Sequence, residues 1–414
     1  MEPNNILLLL LAFIIGDFIF EYVLGSLNAK SQTAIIPEEV KGIYNEEEYR
    51  KSYLYNKEKD KFGTISGLFT LSLTVAALGF GWLGWLDTEL RMYIENPIWL
   101  SLAFFGVIMI ITDIFGIPFE LYNTFKIEAK YGFNKMTAAL FVGDKIKGYL
   151  MGAVIGGGLL ALLIYLIGAL EQNWWLYFWG VISVFILILN MFYTSLIVPL
   201  FNKLTPLEDG ELRDAIEAYC KTVDFPLTNL FVVDGSKRST KANAYFSGMG
   251  KKKKVVLFDT LIKNHTKEEL VAVLAHEIGH YKKKHIKQTF VISIVQMGIT
   301  LFILSLFVGN EKLSLALGAE TQEPVIHLNL IVFIILYTPI SKLTSLLMNL
   351  FSRKNEFEAD NFAATTYDGK YLQEALKKLS SNNLSNLTPH PAYVFFHYSH
   401  PPVLKRLEAI EKAK

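Results

Sequence analysis

Residues 326–360 read IHLNLIVFIILYTPISKLTSLLMNLFSRKNEFEAD, and one change of composition divides the stretch. Residues 326–350 carry Lys342 as their sole formal charge, whereas the next ten include Arg353, Lys354, Glu356, Glu358 and Asp360. About 20 mostly apolar residues in a helix cross the ~30 Å hydrocarbon layer of a bilayer, so the chain leaves a membrane here. It then presents Glu356 and Asp360, whose spacing of four puts both carboxylates on one helical face.

Six more apolar spans lie upstream, at 5–25, 65–86, 98–122, 148–170, 174–199 and 288–308. All seven together hold only Asp17, Glu21, Asp113, Glu120 and Lys342, in a chain with 40 basic and 39 acidic residues. Soluble core helices are rarely so depleted for so long. The first span has no basic residue before it in Met1–Asn4 and no small-x-small cleavage site, which marks a permanent span rather than a cleaved leader. The intramembrane charges either sit near span ends, with Lys342 snorkelling, or line a wet interior through Asp113, Glu120 and Lys342.

The connecting segments alternate in charge. Segments 26–62, 123–146, 201–286 and 351–414 carry 7, 4, 15 and 9 Lys and Arg, against 0, 1, 0 and 1 in 1–4, 87–97, 171–173 and 309–324. By the positive-inside rule the N-terminus is outside or lumenal and the C-terminus cytosolic, in an integral, multi-pass protein of a bacterial inner membrane or the endoplasmic reticulum. Four lysines at 251–254 and three at 282–284 read as part of that positive face. Over 414 residues, 52% hydrophobic and 19% charged, the composition excludes a disordered or disulfide-stapled chain. The near-zero net charge argues against a nucleic-acid partner. The one cysteine, Cys220, permits neither an intrachain disulfide nor a thiolate cage, so any metal falls to histidine and carboxylate.

Segment 201–286 has 15 basic and 11 acidic residues, a soluble composition between the fifth and sixth spans. Short strands are expected at Leu230–Asp234, Asn243–Ser247 and Val255–Asp259, parted by turns at Gly235–Arg238 and Gly248–Gly250. Thr266 and Glu269 have capping-box spacing and open a helix that contains His276-Glu277-Ile278-Gly279-His280. On a helix both imidazoles of H-E-x-x-H reach one zinc ion, and Glu277 is placed to act as general base on its water. Zinc requires a third protein ligand. Position 283 is Lys and 286 is Ile, which excludes the metzincin pattern, and 281–308 contains no acidic residue. Glu356 is the expected third ligand, with Asp360 orienting a ligand histidine from behind and Glu358 a structural carboxylate; His285, His397 and His400 are the competitors. In His397-Tyr-Ser-His-Pro-Pro402, His400 is the expected donor to the oxyanion of the tetrahedral intermediate. In the strand Asn243-Ala244-Tyr245-Phe246, Asn243 can bond substrate while the strand edge pairs with an extended peptide.

These residues reach a known family. Lys130-Tyr-Gly-Phe-Asn134 with Thr137, Pro199-Leu-Phe-Asn-Lys-Leu-Thr-Pro206, Ser236-Lys-Arg-Ser239 with Asn243-Ala-Tyr-Phe246, and Val256-Leu-Phe-Asp-Thr260 stand in order before His276–His280. Ser352-Arg353 with Glu356-Phe357 and Ala359-Asp360, then His397–Pro402, follow it. Across nearly the whole chain the sequence resembles the type I CAAX prenyl proteases, integral-membrane zinc endopeptidases. The resemblance implies seven transmembrane helices around a water-filled chamber, one zinc on His276, His280 and Glu356, Glu277 as base, Asp360 behind the ligands, and Asn243 and His400 on substrate. It also implies cleavage near the C-terminus of a prenylated CAAX-type protein or peptide, with membrane lipid as the other partner.

The expected fold is mainly α, a polytopic membrane protein with a cytosol-facing, gluzincin-like catalytic domain containing a small β-sheet. Residues 1–200 supply five spans with cytosolic loops 26–62 and 123–146, and 201–286 the first part of the catalytic domain. Residues 287–350 supply spans six and seven, and 351–414 the second part of the catalytic domain. Two alternatives stand beside the CAAX reading: a membrane-protein quality-control zinc protease without a lipid requirement, and a transporter or sensor that only binds metal, which would have no need of Glu277.

Overall fold

The computed structural model describes residues 1–226, 229–247 and 254–413. Among them, seven helices are long and apolar enough to cross a membrane: Pro3–Ser31, Glu46–Gly79, Pro97–Glu128, Ala138–Leu170, Trp174–Phe201, His285–Phe307 and Ile326–Thr366. Several run beyond the apolar stretch that marks them. Asn45 caps the second, its side chain accepting from Glu48 N at 2.8 Å, so much of the expected loop 26–62 is helix. The seventh continues for 41 residues without a break, carrying Glu356 and Asp360 on the same rod as the span.

One expected span needs correction. The second helix stops at Gly79 rather than 86, because Gly81 takes a left-handed φ of +69°, which glycine adopts without the clash a Cβ would bring. Trp82–Arg91 is a separate helix. It packs against 311–319 through glycine on glycine: a Cβ on Gly84 would lie 2.2 Å from the Gly318 carbonyl oxygen.

The charges within the spans are paired between helices. Lys342 bonds Asp17 at 3.0 Å and also Glu21, and Lys145 holds Asp113 at 2.6 Å and Glu120 at 2.7 Å. Opposite charges on neighbouring helices therefore meet the requirement that an intramembrane charge face protein. Lys342 joins the first helix to the seventh instead of snorkelling.

Between the fifth and sixth spans lies a four-stranded sheet: β1 (Leu204–Pro206), β2 (Leu230–Val233), β3 (Ala244–Ser247) and β4 (Lys254–Phe258), in the order β1-β2-β4-β3. β2 and β4 are parallel, while β3 runs antiparallel to β4 at the edge. The turn at Gly248–Gly250 and lysines 251–253 lie outside the described residues. Lys254 donates to Ser195 Oγ at 2.7 Å, tying the sheet to the fifth membrane helix.

Helix Lys267–Lys282 starts at Thr266 with both halves of the capping box formed. Leu270, Val271, Leu274, Ala275 and Ile278 are buried with Leu257, Leu261, Ala363, Leu372, Ala375 and Ile410, so strands, the seventh helix and the C-terminal helices enclose it. Cys220 belongs to the same core, where burial pushes its thiol up to about 12 and keeps it neutral.

The Gly84 contact can be tested by substitution. Gly84→Ala drives a methyl group into the Gly318 backbone, an overpacking that costs about 1–3 kcal/mol. The Tm of the detergent-purified protein should fall, while Gly106→Ala, with nothing within 4 Å of the new Cβ, should leave it nearly unchanged.

Candidate metal centre

Helical geometry projects His276 and His280 from one face of Lys267–Lys282, and their Nε2 atoms stand 3.1 Å apart. The seventh helix meets that face at Glu356. One Glu356 oxygen lies 3.4 Å from His276 Nε2 and the other 3.3 Å from His280 Nε2. These separations pass a test for zinc: with bonds of ~2.0 Å, tetrahedral ligands are about 3.3 Å apart. Glu356 Oε2 is also buried without a hydrogen bond among the described residues, as suits an oxygen whose partner would be a cation. His276, His280 and Glu356 could thus hold a metal ion.

The far side of each imidazole is also occupied. His276 Nδ1 is 2.9 Å from Asp360 Oδ1, so the carboxylate four residues after Glu356 lies behind the histidine. His280 Nδ1 lies 3.0 Å from His285 Nδ1, and His285 Nε2 lies 3.1 Å from Glu358 Oε2. His285, a competitor for the third position on sequence grounds, thus stands behind His280, and Glu358 is its partner. Such supports set the tautomer and orientation of a ligand histidine.

Arg406 was missed from the sequence. Buried in the C-terminal helix Val403–Lys412, it grips Asp360 with two bonds, Nη2 to Oδ1 at 2.6 Å and Nε to Oδ2 at 2.8 Å, while Nη1 lies 3.4 Å from Glu356 Oε2. Burial alone would lower its pKa; the Asp360 carboxylate outweighs that and raises it. A signal was available. Val403, Arg406 and Ile410 follow helical spacing, and a charge in a buried stripe calls for a buried partner.

Glu277 lines two cavities with His280, of about 460 and 380 Å³. Removal from water pushes its carboxyl above the ordinary range. The smaller cavity brings together Asn243, Ala244, Tyr245, the three candidate ligands and His400. Asn243 Oδ1 accepts from Ala244 N at 2.9 Å, shaping the start of β3. His400 is exposed, with Nε2 3.3 Å from Glu356 Oε1 and Nδ1 3.0 Å from Ser399 Oγ. His397 points elsewhere, 3.2 Å from Glu21 on the first membrane helix.

Two quoted motifs brace β3. Arg238 holds Asp144 at 2.8 and 2.9 Å and the Phe201 carbonyl at 2.7 Å, while Asn134 bridges Ser239 and Thr240 N donates to Phe133 O at 3.0 Å. The Lys130–Asn134 turn therefore holds the chain just before Asn243.

A family model described as CAAX prenyl protease N-terminal, five membrane helices, matches residues 26–203, and the model of peptidase family M48 matches 206–414. The chain belongs to the M48 peptidases. It resembles a CAAX prenyl protease 1 homolog of Oryza sativa subsp. japonica, 38% identical over 97% of this chain and 96% of that protein. The Homo sapiens CAAX prenyl protease 1 homolog is 33% identical over 92% and 90%. The crystal structure of S. mikatae Ste24p superposes with a TM-score of 0.92 at 31% identity, covering 98% of this chain and 99% of that one. The chain is therefore an integral membrane metalloendopeptidase with the architecture of its M48 relatives, which removes the reading as a transporter or sensor.

Partners behind a ligand are typically worth about 10–100-fold in metal affinity, and loss of a ligand should exceed that. Glu356→Gln preserves the side chain's shape and removes its charge. Elemental analysis after gel filtration should find the variant largely free of zinc; full occupancy would remove Glu356 from the ligand set.

Proposed function

We propose that the protein is a zinc endopeptidase that cuts near the C-terminus of prenylated, CAAX-type proteins or peptides. The observation that carries this reading is one cleft in which two histidines and a glutamate at tetrahedral-edge spacing stand beside the carboxyl group of Glu277 and an edge strand, β3. The names of the relatives supply the substrate class.

His276, His280 and Glu356 would hold zinc, which when bound would supply a Lewis acid for the peptide carbonyl and for water. Glu277 takes the proton from the attacking water and delivers it to the leaving amine. An extended peptide pairs with the backbone of Ala244 and Tyr245, and Asn243 bonds it at the start of the strand. With Ser399 Oγ 3.0 Å from Nδ1, the His400 tautomer that carries its proton on Nε2 would present that proton to the developing oxyanion. Asp360, 2.9 Å from His276 Nδ1, would orient that ring so that Nε2 is left for the metal.

The N-terminus is outside or lumenal, and the site faces the cytosol. Supporting this, the basic segments meet one another: Asn28 accepts from His390 N, Tyr44 bonds the Ser380 carbonyl, and Lys135 N donates to Arg238 O. Substrate arrives through water-filled space between the helices. The cavity of about 460 Å³ that runs from Glu277 and His280 past Asn190, Thr289 and Phe290 supports that route.

Removing a positioned general base typically costs 10²–10⁴-fold. Glu277→Gln should keep its zinc and lose cleavage by about that factor; parental turnover would overturn the mechanism. The same assay on matched peptides with and without the prenyl group decides the substrate, since equal rates would favour a quality-control protease without a lipid requirement.

A further inference from the structure

Arg353 lies one helical turn before Glu356 and takes no part in the candidate metal cluster. Its guanidinium donates from Nη1 to the carbonyls of Val394, at 3.1 Å, and Tyr398, and from Nη2 to that of Phe395 at 3.4 Å. One turn earlier, Asn349 Nδ2 donates to the Phe396 carbonyl at 2.8 Å. These groups belong to the end of helix Pro391–His397, where the last carbonyls of any helix lack partners within it. The start of that short helix is held separately: His390 Nδ1 accepts from Ala392 N at 3.2 Å, and His390 N donates to Asn28 Oδ1 at 3.1 Å.

Two residues beyond Tyr398 is His400, followed at once by Pro401-Pro402, whose rings restrict the backbone on that side. His400 therefore hangs between a carbonyl clamped by Arg353 and a stiff proline pair. Arg353 and Glu356 share one continuous helix, about 4.5 Å apart along its axis, so the clamp refers the His400 loop to the element that carries the third candidate ligand. Only arginine offers a planar fork able to reach several carbonyls at once; lysine is a single point of contact.

We propose that Arg353 is a positioning residue for catalysis, setting His400 Nε2 against the site through the Tyr398 carbonyl. This rests on the reading of His400 as the oxyanion donor. A donor displaced by about 1 Å loses on the order of 10²-fold in rate. The loss falls on kcat, because the oxyanion exists only as the reaction proceeds.

The test compares Arg353→Ala, Arg353→Lys, His400→Ala and the Arg353→Ala/His400→Ala double variant as full-length protein in detergent, on a peptide the parent cleaves, with zinc content and Tm recorded for each. Arg353→Ala should keep its zinc, lose kcat by about 10–100-fold and hold KM within about twofold, with Arg353→Lys recovering only part. The double variant should be no slower than His400→Ala, because a residue that acts through His400 has nothing left to position. Losses that multiply in the double variant would overturn the proposal, as would a fall in zinc or Tm that accounts for the lost activity. Parental kcat in Arg353→Ala beside an impaired His400→Ala would sink this proposal alone, whereas parental kcat in His400→Ala would sink the oxyanion reading beneath it.

Discussion

The candidate site depends on how closely two helices pass. At Gly279 the helix with the two histidines meets Ala359 of the seventh membrane helix, where a Cβ would come within 3.1 Å of the Ala359 backbone. Hydrogen at one position and a methyl group at the other let the axes approach until Glu356 reaches both imidazoles and Asp360 reaches behind one. Ordinary side chains there would part the helices, and a carboxylate has little length to spare. The small residue inside each motif, Gly279 within His276–His280 and Ala359 within Glu356–Asp360, is as much a requirement of the site as its charged neighbours.

A second consequence follows from the seventh helix being one rod. Its lower part pairs Lys342 with Asp17 and Glu21 of the first helix, and its upper part carries Asn349, Arg353, Glu356 and Asp360. One helix thus carries both the membrane ion pairs and part of the candidate site. Charges are held in layers around the cleft: carboxylate behind His276, guanidinium behind that carboxylate, and a second imidazole with its own carboxylate behind His280. In low dielectric each such group needs the next, because an unpaired buried charge is far more expensive than a paired one.

Much of this was legible along the chain because periodicity and charge are local properties. Apolar runs marked seven spans, Thr266 and Glu269 marked a helix start, and the spacing of four within two motifs placed each pair of polar groups on one face. The errors were local too. Residues 65–86 read as one span because hydropathy does not register the turn that Gly81 makes, and β1 was missed because three residues carry no alternation to detect. Glu358 was legible as a carboxylate on a different helix face from Glu356 and Asp360, but its partner His285, 73 positions earlier, was not.

What the sequence by itself determined is the inventory: membrane spans, an H-E-x-x-H pentad, a pair of carboxylates after the last span, and a family with this order of motifs. Tertiary structure decided which of these parts meet. Arg406, Arg353 and His285 are ordinary charged or polar residues until the chain folds, and their partners lie 46, 41 to 45, and 73 residues away along the chain. The reason is physical. Local spacing sets the direction of a side chain on its own helix, whereas its partner is set by how closely helices pack, and that was decided here by Gly279 against Ala359.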